Sequence, residues 1–458
     1  MILSSRTRAI SRASWPRSIL RSPLYPVALQ VAAGLLFILI YAYAFFGPAM
    51  GENNLAVVAT WQLWWLLLPF SFLFLGRLWC TVCPIGAVNG LSEKVPFRWR
   101  KMPGALLRRS DAWIMGSLFL VLFWIGIVRH ICCWPKATAI VLLLFTGGAV
   151  VAGLLFHGRA WCRYFCPVGL YSAMLSLASF LGLRSQKQIC RETCRVNKRH
   201  VLQDEMKGCP LYELPMALDT NRNCNLCGQC VKYCPHGSLQ LSVLDPSREM
   251  SRMKRPRLGE AIFIMTLMGI AFVEVLQTTQ LLPRYMKWAL EMNVLGSYDI
   301  VFSLTIFAVV ALALGLYLIA TGLAGRLGRW NAWPIASFSY GFIPIALATT
   351  LGVALFRLAS EGARATKVAV NQLSFVEIFN LPPPIRGSFY EVNTGLKALQ
   401  LAVLALGVLA TLYVIVKIAN RRGGPRAMMG ALPVMALALV FAGALSFIFL
   451  QPAGLILH

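Results

Sequence analysis

Four cysteines in the middle of the chain follow the spacing Cys-x2-Cys-x2-Cys-x3-Cys-Pro. They are Cys224, Cys227, Cys230 and Cys234, and Pro235 follows the last of them. In bacterial ferredoxins the first three thiolates of such a run bind one 4Fe-4S cluster, and the fourth reaches a neighbouring cluster. Zinc sites usually pair two separated Cys-x2-Cys segments around one ion. The compact run therefore predicts iron–sulfur chemistry.

Three further cysteines lie upstream and resemble a shortened first half of a two-cluster ferredoxin. They are Cys190, Cys194 and Cys209, the last of which precedes a proline. With the usual crossing, Cys209 completes the cluster of the first three cysteines in the run. Cys190, Cys194 and Cys234 then hold a second cluster that needs one more ligand. That ligand is a cysteine from another loop, His200, or none. A single cluster with spectator cysteines is the alternative.

A pattern of the form G-R-x-W-C…C-P-x-G occurs twice. It runs from 76 to 86 and again from 158 to 169, and its cysteines are Cys80, Cys83, Cys162 and Cys166. Each copy closes an apolar run, where the proline suits the first turn of a new helix and the glycine permits close backbone approach. We refer to these two segments as the first and second Cys-Pro loops.

The four thiols of the Cys-Pro loops leave three chemical interpretations open. They hold a third cluster, supply the missing ligand of the second, or form a redox-active dithiol pair near the membrane surface. Packing as small hydrophobic side chains is the alternative without chemistry. The arginines and tryptophans of the loops suit a charged and aromatic membrane interface, which predicts only an interfacial position for Arg77, Trp79, Arg159 and Trp161.

Four other residues are candidates for proton or metal chemistry. Glu274 lies well inside an apolar run, where an ionisable group is costly enough to suggest function, although a helix–helix hydrogen bond would also explain it. His157 precedes the second Cys-Pro loop at the height expected of a quinone head group, although solvation at the interface also accounts for it. Adjacent Cys132 and Cys133 favour packing or free thiols, with a redox or metal role as the alternative.

The composition indicates a membrane protein. The 458 residues are 58% hydrophobic and 13% charged, and the mean hydropathy is +0.66, which excludes an ordinary cytosolic enzyme. Runs of about 17 apolar residues cross a bilayer. Nine such runs occur, at Val27–Phe46, Ala56–Leu75, Ala112–Val128, Ala137–Phe156, Ala261–Leu281, Val301–Ala320, Ala336–Leu355, Leu399–Val416 and Leu432–Leu450. A tenth stretch, Val168–Leu183, is interrupted by glycines and serines and predicts an interfacial or re-entrant helix.

Charge sets the expected orientation. The N-terminal tail, Lys94–Arg109, the central polar stretch and the turns near Arg326 and Arg421 are basic and all fall on one side. The positive-inside rule makes that side the cytoplasm of a bacterial inner membrane. Opposite lie the turns around 51–55, 130–135 and 283–299 and a long loop over 357–397. The net charge of +26 is explained by orientation and contact with membrane lipid, so nucleic acid is not an expected partner.

These patterns predict an all-α polytopic membrane protein of about nine transmembrane helices, with a small cytoplasmic α+β ferredoxin-like insertion. The expected domains are an N-terminal membrane domain over 1–183, an iron–sulfur domain over 184–260 and a C-terminal membrane domain over 261–458. All cysteines except Cys132 and Cys133 then lie in the reducing compartment, where thiolate ligation is favoured over disulfides.

From about Trp61 to Val243 the chain resembles the membrane polyferredoxins of the NapH/NosR type. The resemblance rests on the paired Cys-Pro loops followed by the ferredoxin run. It implies a quinol-dehydrogenase-like subunit that passes electrons between the quinone pool or a cytoplasmic donor and periplasmic reductase systems. The first loop has Cys80-x2-Cys83, where the second keeps the Cys-x3-Cys spacing of that family.

The expected function is therefore electron transfer through two 4Fe-4S clusters, with a third as the alternative. Quinone and other redox subunits in the membrane or periplasm are the expected partners. Clusters that exchange electrons need no substrate pocket, which agrees with the absence of a nucleophile triad or phosphate loop from the sequence. The rival hypothesis is a membrane-bound reductase that acts in the assembly or maturation of a metalloenzyme. A transporter would predict a repeat among the later helices, and none is evident.

Overall fold

The computed structural model describes residues 15–190, 209–234, 236–291, 297–330, 334–374 and 394–453. Within those ranges nine helices are long and apolar enough to cross a membrane. They are Val27–Phe46, Leu55–Leu75, Ala105–Val128, Pro135–Leu155, Leu258–Gln277, Tyr298–Gly328, Ile335–Ser374, Thr394–Arg422 and Ala427–Leu450. In lipid a helix satisfies all of its own backbone hydrogen bonds, which is why such apolar runs fold this way. The predicted all-α polytopic fold is confirmed, and the protein is a multi-pass membrane protein.

Shorter helices and two strands lie in the segments between the membrane-spanning helices. Helices occur at Trp15–Arg21, Leu78–Val82, Pro84–Ser92, Pro167–Leu175, Gln229–Tyr233, Pro246–Ser251 and Leu281–Glu291, and strands occur at Leu181–Ser185 and Leu239–Val243. The tenth apolar stretch does not form a span. Its helix Pro167–Leu175 is almost wholly buried and leads through a short 3-10 turn into the first strand.

The expected external loop over 357–397 is wrong in its first part. The helix that starts at Ile335 continues to Ser374. Beyond Arg357 the side chains of Ala365, Val368 and Ala369 are buried, and their spacing of three and four residues gives the helix an apolar face. Residues 375–393 lie outside the described part of the chain.

The polar insertion is built on the two strands. They pair antiparallel, with Leu181 opposite Val243 and Leu183 opposite Leu241. A small apolar core lies against this sheet, and it consists of Leu183, Leu218, Leu226, Val231 and Leu239. Three cysteines of the ferredoxin run pack against the same core. The core thus fixes the backbone that carries the predicted cluster ligands.

The chain folds as two compact units. The first comprises Met1–Leu39, Ser71–Leu118 and Val141–Glu249, and the second comprises Ile40–Phe70, Phe119–Ile140 and Met250–His458. The first unit contains both Cys-Pro loops and the ferredoxin run. The second contains Cys132, Cys133 and Glu274. The predicted domain boundaries at 183 and 260 stay a sequence-based prediction.

Candidate functional site

Both Cys-Pro loops begin with a glycine in the left-handed region of backbone conformation. Gly76 has a φ of 59° and Gly158 a φ of 74°, a region that costs other residues about 1–2 kcal/mol. A Cβ at Gly158 would also lie 2.9 Å from the ring of Tyr212. The glycine of the repeated pattern therefore makes the turn that carries the chain from the membrane helix into the loop.

The two loops close in the same way despite their different cysteine spacing. In the first loop the N–H of Cys83 donates to the carbonyl of Trp79 at 2.9 Å, a helical bond over four residues. In the second, the N–H of Cys166 donates to the carbonyl of Trp161 at 2.8 Å, over five residues. A π-helical turn over Trp161–Phe165 absorbs the extra residue. Each tryptophan carbonyl thus accepts a bond from the second cysteine of its loop.

The second cysteine of each loop immediately precedes a helix, and the proline of the repeated pattern is the first residue of that helix. Burial raises the pKa of the Cys83 thiol, and hydrogen bonds from the backbone N–H groups of Gly86 and Ile85 oppose that rise. Burial likewise raises the pKa of Cys166, against a hydrogen bond from the N–H of Gly169. Backbone N–H groups aimed at sulfur favour its thiolate form, the form that binds metal.

The four thiols of the Cys-Pro loops lie in one group. The pKa of Cys162 is raised to about 12, first by burial and further by the thiolate charges of Cys83 and Cys80. The pKa of Cys166 is raised well above its usual value by burial and then by the charges of Cys162, Cys83 and Cys80. A Cβ at Gly86 would lie 3.3 Å from the Cys162 sulfur. The backbone of the first loop therefore packs directly on a thiol of the second.

A second group of four thiols lines a cavity in the ferredoxin-like segment. Its members are Cys209, Cys224, Cys227 and Cys230, with Leu183 and Leu218 among the apolar walls. Burial raises the pKa of Cys224 to about 12, and the charges of Cys227 and Cys209 raise it further. The pKa of Cys230 is raised by burial and by the charges of the other three thiolates. This grouping includes Cys209 as its fourth member, as the crossing in the sequence predicts.

Cys190 and Cys234 form part of a third set. Their sulfurs lie 3.2 Å and 3.4 Å from the hydroxyl oxygen of Ser238. Burial raises the pKa of Cys234, but hydrogen bonds from the hydroxyl and the N–H of Ser238 outweigh it, and the pKa is lowered. Cys194 and His200, the other predicted participants, lie outside the described residues.

Direct contacts join the first Cys-Pro loop to the ferredoxin run. The hydroxyl of Thr81, between the two cysteines of the loop, donates to the carbonyl of Asn225. Asn225 itself lies between the first two cysteines of the run. The guanidinium of Arg77 donates from Nη1 to the carbonyl of Arg222 at 2.6 Å. The two groups of thiols are thus held together through backbone carbonyls on the ferredoxin side.

Arg159 joins the second loop to the same segment. Its N–H donates to the carbonyl of Pro210 at 2.9 Å, next to Cys209. Its positive charge favours a lower pKa for the thiols of Cys83 and Cys162 in the loop group. It has the same effect on Cys227 in the ferredoxin group. One guanidinium therefore influences both groups of thiols.

The burial of Arg77 tests whether an anionic cluster suits this site. Its side chain is 2% exposed, not interfacial as the sequence predicted. Within the described part of the chain its Nε has no hydrogen-bond partner and no carboxylate pairs with it. A buried cation costs several kcal/mol unless an anion compensates it. A 4Fe-4S cluster bound by four thiolates is such an anion, and the charge of Arg77 acts on Cys162. The residues fit the cofactor.

The thiols of the loop and ferredoxin groups do not converge on a single point. Among the described residues no three Cys, His, Asp or Glu side chains meet around a position for one metal ion. In a cubane each thiolate binds a different iron atom, so the ligands surround the cluster.

His157 and Glu93 form a polar pair beside the second Cys-Pro loop. Glu93 is 5% exposed, and its Oε1 accepts a hydrogen bond of 2.5 Å from the N–H of Gly158. The same oxygen lies 3.9 Å from Nδ1 of His157, whose side chain is about half-exposed. Burial raises the pKa of Glu93. Glu93 was not among the residues predicted from the sequence, although a carboxylate that directly precedes a basic segment was the available signal.

Two other predicted candidates lie in the second unit. Glu274 lies close enough to Arg357 for their charges to interact, and Arg357 donates to Gln277 at 3.3 Å. The Cys132 and Cys133 sulfurs are 3.7 Å apart. The pKa of Cys132 is lowered, mainly by a hydrogen bond from Cys133 and also by the charge of Arg357, although burial opposes both.

Comparison with known proteins supports the iron–sulfur interpretation. A 4Fe-4S binding domain family matches residues 57–103 and 138–187, ranges that contain all four cysteines of the Cys-Pro loops. The methylamine utilization ferredoxin-type protein MauN of Methylorubrum extorquens is 26% identical over 168 residues, which cover 31% of this chain. The chain spans about half of that relative, since the match covers 55% of its length. No solved structure matches the chain significantly.

The family match falls on the repeated loops that carried the resemblance in the sequence, and it confirms the resemblance to membrane-type 4Fe-4S ferredoxin proteins. The two matches also support a role in electron transfer and the presence of iron–sulfur clusters. Among the described residues nine helices are long and apolar enough to cross a membrane, and residues 57–103 and 138–187 match a 4Fe-4S binding domain, so the chain is similar to membrane-type 4Fe-4S ferredoxin proteins.

Proposed function

We propose that this protein passes electrons between the quinone pool or a cytoplasmic donor and a redox partner in the membrane or periplasm. The observation that carries the proposal is the set of hydrogen bonds that joins the two segments in which these groups of four thiols lie, from Thr81, Arg77 and Arg159 to backbone carbonyls of the ferredoxin-like segment. One group lies at the ends of membrane helices, and the other lies in the ferredoxin-like segment. Electron carriers held in adjoining segments need no substrate pocket between them.

The proposed ligands follow the three sets of cysteines. One 4Fe-4S cluster is held by Cys80, Cys83, Cys162 and Cys166. A second is held by Cys209, Cys224, Cys227 and Cys230, and Cys190, Cys194 and Cys234 supply three thiolates to another. When bound, such clusters supply one-electron transfer. Buried walls keep water from the thiolates, and backbone N–H groups such as that of Gly86 support their charge.

The orientation in the proposal follows from the basic loops. The segments Lys94–Arg109 and Arg421–Arg426 and the polar stretch that contains the ferredoxin run are rich in Lys and Arg. Such segments stay on the cytoplasmic side of a bacterial inner membrane. The two Cys-Pro loops would then lie at the cytoplasmic surface, where a cytoplasmic donor or a quinone head group can approach them.

A quinol at this surface would have a proton acceptor in His157. Oxidation of a quinol releases two electrons, which would enter two clusters one at a time, and two protons. Nδ1 of the half-exposed His157 can accept one proton, the nearby carboxylate of Glu93 stabilises the imidazolium that forms, and the second proton would pass to solvent. Gly158 fixes the carboxylate through its N–H, and this glycine also starts the second Cys-Pro loop. In this proposal the proton acceptor and the second Cys-Pro loop are adjacent in the chain, which supports coupling of proton release to electron transfer.

A reduction experiment tests the proposal. A water-soluble quinol analogue is added anaerobically to the purified protein, and the visible absorbance and EPR spectra are followed. We expect the quinol to reduce the wild type and a Cys132→Ser control alike, because that cysteine lies outside the three sets. A variant with Cys80→Ser and Cys83→Ser should not respond to quinol. Protein that contains iron but exchanges electrons with neither quinol nor dithionite would contradict the proposal.

Association with other proteins separates electron transfer from maturation. A permanent electron-transfer subunit should co-purify with its partner in equal amounts from membranes, whereas a maturation factor should be present only transiently or in substoichiometric amounts. The partner itself is expected to carry a redox centre, because the exposed end of a chain of clusters has to deliver its electrons to an acceptor.

A further inference from the structure

Cys132 and Cys133 lie in a tight turn that directs their side chains towards each other. The turn joins the helices that end at Val128 and begin at Pro135. His130 has a φ of 51°, in the left-handed region, and a 3-10 turn over Ile131–Cys133 follows it. The two sulfurs are 3.7 Å apart. Neighbouring side chains usually diverge from the backbone, so this convergence requires the unusual turn.

Packing in the second unit keeps the turn in this conformation. The N–H of Cys133 donates to the carbonyl of His130 at 2.9 Å. The hydroxyl of Thr138 donates to the carbonyl of Ile131 at 3.1 Å. Gly51 packs so closely that a Cβ there would lie 2.1 Å from the carbonyl oxygen of Cys133. The backbone of the turn that carries the thiol pair is therefore held by its surroundings.

Chain geometry disfavours a disulfide between these two thiols. Consecutive Cα atoms are about 3.8 Å apart across a trans peptide, whereas disulfides usually join Cα atoms about 4.4–6.8 Å apart. Closure would therefore strain the peptide between the residues. Two converging sulfurs that resist a bond with each other can still bind one ion jointly. Thiolates select soft ions such as Cu⁺, and structural Zn²⁺ almost always takes four ligands.

One guanidinium and two carboxylates influence the thiol pair. Two thiolates and one monovalent cation leave a net charge of −1, and the guanidinium of Arg357 acts on Cys132. The carboxylates of Glu52 and Glu361 raise the pKa of Cys133, and Glu361 also raises that of Cys132, so they oppose the thiolate form but attract a bound cation. Metal binding releases the two thiol protons to solvent. From this geometry we propose that Cys132 and Cys133 form a site for one monovalent thiophilic metal ion, with Cu⁺ as its natural probe.

The site is distinct from the iron–sulfur ligands, because both cysteines belong to the second unit and to a turn expected on the side opposite the basic loops. Binding consumes one Cu⁺ and releases two protons without any change of oxidation state. The proposal stands whether or not the chain transfers electrons to quinone.

A competition titration tests the site. Full-length protein, purified anaerobically with its iron, is titrated with Cu⁺ held by a chromophoric bicinchoninate chelator. We expect the wild type to bind one Cu⁺ more per chain than Cys132→Ser, Cys133→Ser or the double variant, which should be equal because both sulfurs are needed. Iron content and thermal midpoint are measured on every variant, so that a loss of folding is distinguished from the loss of a ligand.

Two further outcomes bear on the proposal. Copper X-ray absorption of the loaded wild type should show two sulfur neighbours, and this signal should be absent from either single variant. Equal copper binding by wild type and the double variant would overturn the proposal. A disulfide between Cys132 and Cys133 in the protein as isolated, detected by mass spectrometry, would also overturn it.

Discussion

Replacement of Arg77 by methionine should lower the midpoint potential of the cluster that we propose at the Cys-Pro loops. The buried guanidinium has no carboxylate partner within the described residues, and its charge acts on Cys162. At an effective dielectric of about 20, a unit charge that lies about 8 Å from a cluster would contribute about 2 kcal/mol to its reduction. That energy corresponds to about 90 mV in a one-electron couple, since 59 mV is a factor of ten. Reduction adds negative charge, so loss of the cation makes the potential more negative.

Potentiometric titration monitored by EPR measures this shift. Arg77→Lys keeps the charge and should move the potential far less than Arg77→Met. Arg98→Met is the matched control, because Arg98 is exposed and water screens its charge. Iron content is determined for each variant, so that potentials are compared only between loaded proteins. The same potential in Arg77→Met, Arg77→Lys and wild type would refute the electrostatic reasoning.

Three other predictions concern the ligands, the proton path and the fold. Cys209→Ala should remove the EPR signal of the ferredoxin group, whereas Cys234→Ala should spare that signal; the reverse result would exclude the crossed pairing. Glu93→Gln should slow reduction by quinol about 100-fold and leave dithionite reduction unchanged, and an equal effect on both would point to structural damage. Gly158→Ala should destabilise the protein by about 1–2 kcal/mol because of its positive φ, which a lower thermal midpoint would show. Gly126→Ala should leave the midpoint unchanged, because a Cβ added there would meet open space. Equal midpoints for Gly158→Ala and the wild type would contradict this account.

Hydropathy was sufficient to predict the number and approximate position of the spans, because a helix in lipid needs a long apolar run. It failed where a helix becomes amphipathic. The segment after Arg357 carries charges that made it look like a loop, yet buried Val368 and Ala369 continue the helical pattern to Ser374. The secondary structure of such a segment is determined by its tertiary contacts and not by its local composition.

The cysteine motifs were recognisable from spacing, but their grouping was not. Cys80 and Cys162 are far apart in sequence, and only the packing of Gly86 on the second loop brings their thiols together. The role of Arg77 was missed for a similar reason. An arginine at a helix end usually lies at the interface, and only the fold shows that this one is buried. The different spacing of the loops could not be interpreted until the π-helical turn was seen.

Iron and acid-labile sulfide analysis with EPR tests the central claim most directly. The dithionite-reduced wild type is compared with a variant in which Cys80, Cys83, Cys162 and Cys166 are all replaced by serine. Each 4Fe-4S cluster contributes four irons, so the account predicts that the variant loses about four irons per chain and one EPR signal. It should retain the signal of the ferredoxin group. An iron content that is unchanged in the variant would contradict a cluster at the Cys-Pro loops, and a wild type without iron would contradict the whole account.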